Sequence, residues 1–251
     1  MKLQIVDCYQ TLSRQAAAIV AGLIRRKRQA VLGLATGGTP MGLYQELIRL
    51  HREEQLDFVD VTTFNLDEYV GLTPDDPNSY RSFMQQHLFS QINIRAERTY
   101  IPCGDASDLS LVCRRYEELI RQAGGIDLQI LGIGANGHIG FNEPGADPGE
   151  GTRVVRLAAH TRQANARFFA RPTEVPHQAV TMGIRTIMQN SRKILLLASG
   201  EAKAEALYRM VCGKVENGLP ASYLQLHPNV TVLADRAAAK LLADVGQPLG
   251  C

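Results

Sequence analysis

The sequence predicts a doubly wound α/β fold, a mainly parallel sheet with helices on both faces. Two observations carry that prediction. Five short apolar runs, at residues 30–35, 59–65, 128–133, 193–199 and 230–234, end in small or polar residues. Near-continuous Val/Ile/Leu runs of this length suit strands buried on both faces, as parallel sheets require. Between them, apolar residues recur at helical spacing, and alternating strand and helix is the pattern of an α/β sheet. In such sheets ligands bind beyond the carboxyl ends of the strands, so functional residues are expected directly after the runs.

In chain order, Ala16, Ile19, Val20, Leu23 and Ile24 mark a first helix, and the first core strand is expected near Ala30. Thr39 suits a helix N-cap and Pro40 the first helical position, opening a helix that buries Leu43, Leu47 and Ile48. Tyr116, Leu119 and Ile120 mark another helix. From Glu143 to Gly151 the chain reads Glu-Pro-Gly-Ala-Asp-Pro-Gly-Glu-Gly, which neither a helix nor a central strand tolerates. A strand at 152–157 and a helix at 161–169 are expected to follow. This stretch, near 145–176, reads as an active-site lid or as a solvated surface excursion. No repeat, low-complexity tract or Ser/Gly linker divides the chain, which predicts one domain over 1–251.

Composition removes several function classes. A formal net charge of +2 over 251 residues gives no reason to expect nucleic acid or an anionic membrane as partner. No run approaches the length of a membrane span, and the first residues lack the apolar core of a signal peptide. Cys8, Cys103, Cys113, Cys212 and Cys251 are dispersed, with no CxxC pair. That pattern reads as free thiols in a reducing compartment, makes a structural zinc site improbable, and predicts a cytoplasmic protein.

Chemistry-bearing residues concentrate at three strand ends. After the run 30–35 come Thr36, Gly37, Gly38 and Thr39, just before a helix start. Backbone N–H groups there can converge on one anion, favoured by the helix dipole, and a phosphate is the natural occupant. The Gly-Lys-Ser/Thr ending of a Walker A loop is absent, and a plain strand-to-helix turn stays open on this segment alone. Lys203, after Ser199 and Gly200, and Arg167, in the lid segment, are the cations placed to complete a cradle. At the second end, Asp67 and Glu68 are adjacent, so in an extended segment only one faces a cleft.

The third end is the densest: Gly132, Gly134, Asn136, Gly137, His138, Gly140, Asn142, Glu143 and Pro144. It contains a literal Gly-x-Gly-x-x-Gly. The dinucleotide reading fails because Pro144, Gly145, Pro148 and Gly149 cut short the required helix, and Leu157 stands where an acidic residue should follow. What remains is a glycine-rich turn presenting Asn136, His138 and Glu143. Histidine beside a carboxylate is the usual acid–base unit, the carboxylate orienting the ring and stabilising its protonated form.

These blocks, with Asn78-Ser79-Tyr80, Pro220-Ala221-Ser222 and Leu224-Gln225-Leu226-His227, resemble the glucosamine-6-phosphate deaminase family over nearly the whole chain. The resemblance implies a modified Rossmann-like fold without a nucleotide, and conversion of glucosamine 6-phosphate to fructose 6-phosphate and ammonia with no metal or cofactor. It implies that Asp67 moves a proton between C2 and C1 of the open-chain sugar. It makes His138 the ring-opening group, supported by Glu143 and Asn136. Thr36, Gly37, Gly38, Thr39, Arg167 and Lys203 would hold the phosphate, Arg167 arriving on the lid. Some family members carry Asp where this chain has Asn136; an amide can orient His138 but cannot balance its charge, so Glu143 is expected to carry that task. Larger members are activated by N-acetylglucosamine 6-phosphate through a basic pair. Arg153 matches one position, but Val155 stands at the other, so such activation is not expected.

Three rival readings differ in what they need. A 6-phosphogluconolactonase would share the phosphate loop and the histidine turn but needs no base at C2 and lacks Asn-Glu-Pro after the histidine. A sugar isomerase without deamination is a weaker alternative. A non-catalytic sugar-phosphate sensor of the kind found in transcription regulators would need a helix-turn-helix, for which no room precedes Ala30.

Overall fold

A computed structural model describes residues 1–166, 169 and 171–242. Ten strands and seven α-helices are assigned among them: β1 (Lys2–Val6), α1 (Tyr9–Arg26), β2 (Val31–Leu34), α2 (Met41–Glu54), β3 (Thr62–Asn65), β4 (Asp67–Tyr69), α3 (Tyr80–His87), β5 (Thr99–Tyr100), α4 (Leu109–Gln122), β6 (Leu128–Gly132), β7 (Arg153–Arg156), α5 (Ala159–Asn165), β8 (Gln178–Thr181), α6 (Ile184–Asn190), β9 (Ile194–Ala198), α7 (Ala204–Cys212) and β10 (Val230–Asp235).

Seven strands form one sheet in the order β1-β10-β9-β6-β2-β3-β5, and every pairing in it is parallel. Each of the five predicted apolar runs becomes one of its strands. Helices cover both faces. Leu12, Ala16 and Val20 of α1, Leu43 and Leu47 of α2, and Met84 of α3 pack on one face. Tyr116 and Ile120 of α4, Ile187 of α6, and Leu207 and Met210 of α7 pack on the other. A doubly wound sheet with two buried faces is therefore the architecture, as predicted.

The chain runs from β2 outward to β3 and β5, then returns to place β6 on the other side of β2. Strand order reverses between β2 and β6, and such a switch point opens a crevice beyond the strands' carboxyl ends. The segments entering that crevice are the 36–39 turn after β2 and the glycine-rich turn after β6.

Two expectations need correction. The core strand expected near Ala30 is β2, but an edge strand, β1, precedes it unannounced: it pairs with β10, and its half-exposed Lys2–Val6 sequence lacks a continuous apolar signal. Helix α2 begins at Met41 with Pro40 as N-cap, one residue later than predicted. The expected strand at 152–157 is β7, and the expected helix at 161–169 starts earlier, as α5.

A second, antiparallel sheet of order β4-β8-β7 stands beside the first. Its link to the main sheet is short: Leu66 N–H bonds Leu34 O at 3.0 Å, and Met182 N–H bonds Leu66 O at 2.7 Å. Asp67 thus begins β4 two residues after Asn65, with only Leu66 between the two sheets. Packed on this sheet is an aromatic cluster of Tyr69, Phe141 and Phe169 with Leu157, Val175 and Ala179. Among the described residues, no helix is long and apolar enough to cross a membrane.

Candidate active site

A cleft of about 500 Å³ opens at the switch point. Its floor is the turn after β2, whose Thr36, Gly37, Gly38 and Thr39 all line it. That turn is braced from beneath. The Tyr44 hydroxyl donates to Ala35 O at 2.5 Å, and the Tyr9 hydroxyl lies 3.1 Å from both Gly38 O and Thr39 O while accepting from Gly42 N–H at 2.7 Å. These bonds occupy the carbonyls from below, so the loop's shape is set before any ligand arrives.

Lys203 forms another part of the wall, in the 3₁₀ turn Glu201–Lys203 that leads into α7. Asp235, at the end of β10, holds the preceding bend: it accepts from Ser199 Oγ at 2.5 Å, Gly200 N–H at 3.1 Å and Ala238 N–H at 2.8 Å. Arg167, the other predicted cation, lies outside the described residues.

Asp67 and Glu68 diverge as an extended segment dictates. Asp67 lines the cleft, whereas Glu68 turns away to cap α3, accepting from Tyr69 N–H and Tyr80 N–H at 2.8 Å and Arg81 N–H at 3.0 Å. A carboxylate at a helix N-terminus satisfies orphan N–H groups and favours the dipole. Glu68 is thus a structural anchor that aims its neighbour. Burial, and then the nearby Glu68 charge, push the Asp67 carboxyl up to about 8.

After β6 the chain folds back on itself: Gly134 N–H bonds His138 O at 2.9 Å. A side chain at Gly134 would meet the His138 ring within 2.3 Å, so only glycine lets the ring lie there. Gly140, at φ +56°, would carry a Cβ 3.5 Å from Asp67 Oδ2, so its bare backbone lines Asp67's side of the cleft. Buried Asn142 staples the end of this turn, donating to Ile139 O at 2.9 Å and Met182 O at 2.8 Å and accepting from Arg153 Nη1 at 2.9 Å. Arg153 also pairs with Glu150 at 2.5 Å, so it braces the turn.

The His138 ring is oriented by Asn136. His138 Nδ1 lies 2.7 Å from Asn136 Oδ1, and the Asn136 amide nitrogen donates to Glu143 Oε2 at 2.8 Å. Carboxylate oxygens accept, so the amide must turn its NH₂ to Glu143 and its oxygen to the ring. His138 therefore carries its proton on Nδ1, leaving Nε2 as a base. Glu143 is 3.6 Å from Nδ1 and is not part of the cleft wall; it acts on the ring mainly through Asn136. Burial lowers the His138 pKa, Glu143 partly offsetting this and Lys203 and His160 adding to it, so the ring is neutral near pH 7.

Four wall residues with polar side chains were not singled out from the sequence as site residues: Tyr80 at the start of α3, and His160, Thr161 and Asn165 of α5. Tyr80 belongs to the Asn78-Ser79-Tyr80 motif, which was a signal; the α5 residues have none beyond helical periodicity. Thr161 Oγ1 donates to Glu143, and His160 Nε2 accepts from the Asn136 amide at 2.7 Å. His138, Glu143 and His160 bring potential metal-ligand atoms within 4.8 Å of one another. The Asn136 amide nitrogen stands between Glu143 and His160, bonded to both, so the group is closed as a hydrogen-bond network rather than open as a ligand set.

A parallel α/β sheet whose switch point brings together a glycine turn before a helix, a buried carboxylate and an oriented histidine has the makings of an enzyme of acid–base chemistry. Residues 6–233 match the model of the glucosamine-6-phosphate isomerase/6-phosphogluconolactonase family, and the chain belongs to that family. It is 56% identical over 243 residues to glucosamine-6-phosphate deaminase 2 of Bacillus subtilis, covering 96% of this chain and 98% of that one. It is 54% identical over 244 residues to the glucosamine-6-phosphate deaminase of a Geobacillus species, covering 97% of both. A solved structure of a monomeric glucosamine-6-phosphate deaminase superposes with a TM-score of 0.94 at 53% identity, over 96% of this chain and all of that one. The 6-phosphogluconolactonase of Thermotoga maritima, at 20% identity and a TM-score of 0.73, shares the fold over 93% of this chain and 98% of that one.

Proposed function

We propose that this chain converts glucosamine 6-phosphate to fructose 6-phosphate and ammonia, using its own side chains and no metal or cofactor. The observation that carries the reading is the pairing, in one cleft, of a buried carboxylate with a histidine whose tautomer is fixed. A lactonase requires no base beside C2. Asp67 together with the near-full-length deaminase relatives favours the deaminase over that rival.

The residues map onto steps whose atoms balance. His138 Nε2 takes the proton of the anomeric hydroxyl, and the imidazolium returns one to the ring oxygen, opening the pyranose. A ring that is neutral at rest and stabilised by Asn136 and Glu143 once charged suits both halves. Asp67 then removes the C2 proton from the open-chain aldehyde while one ammonium proton passes to O1, giving an enolamine; return of the proton from Asp67 to C1 leaves an iminium at C2. Water adds there, ammonia departs, and the ketose remains. The substrate's ammonium beside Asp67 favours the ionised carboxylate that its burial disfavours.

Thr36, Gly37, Gly38 and Thr39 bind the phosphate, with Lys203 and, outside the described residues, Arg167 as its counter-charges. Phosphate held away from the reacting carbons supplies binding energy for positioning them. In the same proposal the chain forms one domain, the segment near 145–176 is the lid over the sugar, and the setting is cytoplasmic. Free thiols at Cys8, Cys103, Cys113 and Cys212 support that setting.

The test is release of ammonia and fructose 6-phosphate from glucosamine 6-phosphate with chelator present, and 6-phosphogluconolactone assayed in parallel. Equal amounts of the two products are expected, abolished by Asp67→Asn and by His138→Gln. Lactone hydrolysis without ammonia would replace this function with its rival, and tight binding of the sugar phosphate without turnover would favour a sensor.

A further inference from the structure

We propose that His160 is a positioning residue that competes with His138 for the single charge of Glu143, so that a proton on the outer ring withdraws support from the inner one. The competition stands on geometry; its kinetic consequence rests on the reading of His138 as the ring-opening group.

One oxygen serves both rings. Glu143 Oε2 lies 3.6 Å from His138 Nδ1 and 3.3 Å from His160 Nε2, while Thr161 occupies the other carboxylate oxygen. A nitrogen of each ring lies within 4.8 Å of one on the other. Two positive rings repel at that separation, and one carboxylate cannot balance both. The rings also differ in their access to water, the His160 side chain being 56% exposed and that of His138 26%. Burial disfavours charge, so a proton arriving from solvent settles first on the outer ring.

In the observed bonding His160 is neutral. Its Nε2 accepts from Asn136 Nδ2 at 2.7 Å, which leaves its proton on Nδ1. A protonated His160 cannot accept there, and Glu143 Oε2 is within reach of its new N–H. The Asn136 bond to His160 is exposed, so the freed amide N–H can turn to water. Asn136 keeps its bonds to Glu143 and to His138 Nδ1, and the tautomer of His138 is preserved. What changes is charge. Glu143 is now paired with His160, and a second cation stands beside the ring that must become imidazolium during ring opening. Lys203, from the turn before α7, and Asp67, from β4, line the same cleft and act on both rings. Arg162, on α5 itself, is directed to Val175 O at 3.3 Å. All three are unchanged in the variants below, so differences among these report on Glu143 and the two histidines.

The experiment is an NMR titration of the ring Cε1 protons between about pH 4 and 9, where histidines change charge. Wild type is compared with His160→Asn and Glu143→Gln, and kcat is followed over the same range. Asn at position 160 still offers an acceptor but takes no proton. Without the His160 charge, the His138 midpoint should rise by about half a pH unit or more, the repulsion of charges roughly 5 Å apart in a largely aqueous setting. In Glu143→Gln the midpoints of both rings should fall. The acid limb of kcat should show two steps in wild type and one in His160→Asn. A His138 midpoint unmoved in His160→Asn, or a His160 midpoint unmoved in Glu143→Gln, would overturn the inference. The ring titrations need no turnover, so coupled rings without ammonia release would uphold the competition and overturn only the deaminase reading.

Discussion

The two sheets differ in what their buried residues do. In the seven-stranded sheet, strands such as β9 bury Ile194, Leu195, Leu196, Leu197 and Ala198 on both faces, and each contributes apolar packing. In the three-stranded sheet, β4 is equally buried, but its residues are Asp67, Glu68 and Tyr69. Glu68 meets its burial with three backbone N–H bonds. Asp67 has only the cleft, and burial next to another carboxylate raises its pKa to about 8. One sheet supplies stability, and the other stores an unfavourable ionisation where the proposed reaction calls for a base. That division predicts opposite signs for substitutions in the two sheets.

The largest effect belongs to Asp67→Asn. Loss of an acid–base group is expected to lower kcat/KM by about 10³-fold. The same substitution should stabilise the fold. With a folded-state pKa raised above its unfolded value, Asp67 keeps a proton in the folded state that the unfolded state releases. It therefore costs increasing stability as pH rises from about 4 to about 8, and the full cost persists above that. Asn has no such dependence, so its advantage is smallest near pH 4 and greatest above pH 8. There it should raise Tm by about 4 °C or more, given roughly 2–4 °C per kcal/mol at this chain length. Thermal melts across that range check the sign; a lower Tm at every pH would mean that β4 is ordinary core.

The same contrast sets what could be read from sequence. Strands β2, β3, β6, β9 and β10 were legible because burial on both faces writes a continuous apolar run. Strand β1 was not, because an edge strand leaves Ile5 47% exposed and interleaves Lys2 and Gln4. Strands β4 and β5 span only Asp67–Tyr69 and Thr99–Tyr100, too short for any period to show. Within the cleft, Asn136, His138 and Lys203 were found by their place after strand ends; that place gave the pair Asp67 and Glu68, and the family resemblance chose Asp67. His160 and Asn165 were not found, since only the return of α5 over the turn brings them there. That the Asn136 amide stands between Glu143 and the His138 ring was not legible for the same reason: neighbours in sequence do not reveal which of two groups stands in front.

In the main sheet, Leu196→Ala should cost about 2–5 kcal/mol by denaturant unfolding while leaving kcat/KM of the folded protein within about threefold. Leu196 is fully buried on β9 and faces the helix-covered side rather than the cleft. A large kinetic defect at unchanged unfolding free energy would dissolve the division between the sheets.

The smallest effect tests how the acid–base turn differs from both. Glu143 is held by Thr161 and Asn136, so Glu143→Gln keeps an acceptor in place and removes only the charge. That charge opposes the burial which lowers the His138 pKa. Without it, the pKa of His138 should fall further, which an NMR titration of the ring's Cε1 proton would follow directly. The neutral base is then present over a wider range of pH, but the imidazolium formed during ring opening is less stable. A decrease in kcat of about tenfold is expected, below the full loss of an acid–base group. A His138 pKa that does not fall would mean that the Asn136 dipole alone sets the ring. Glu143 would then matter only as the post to which α5 is tied.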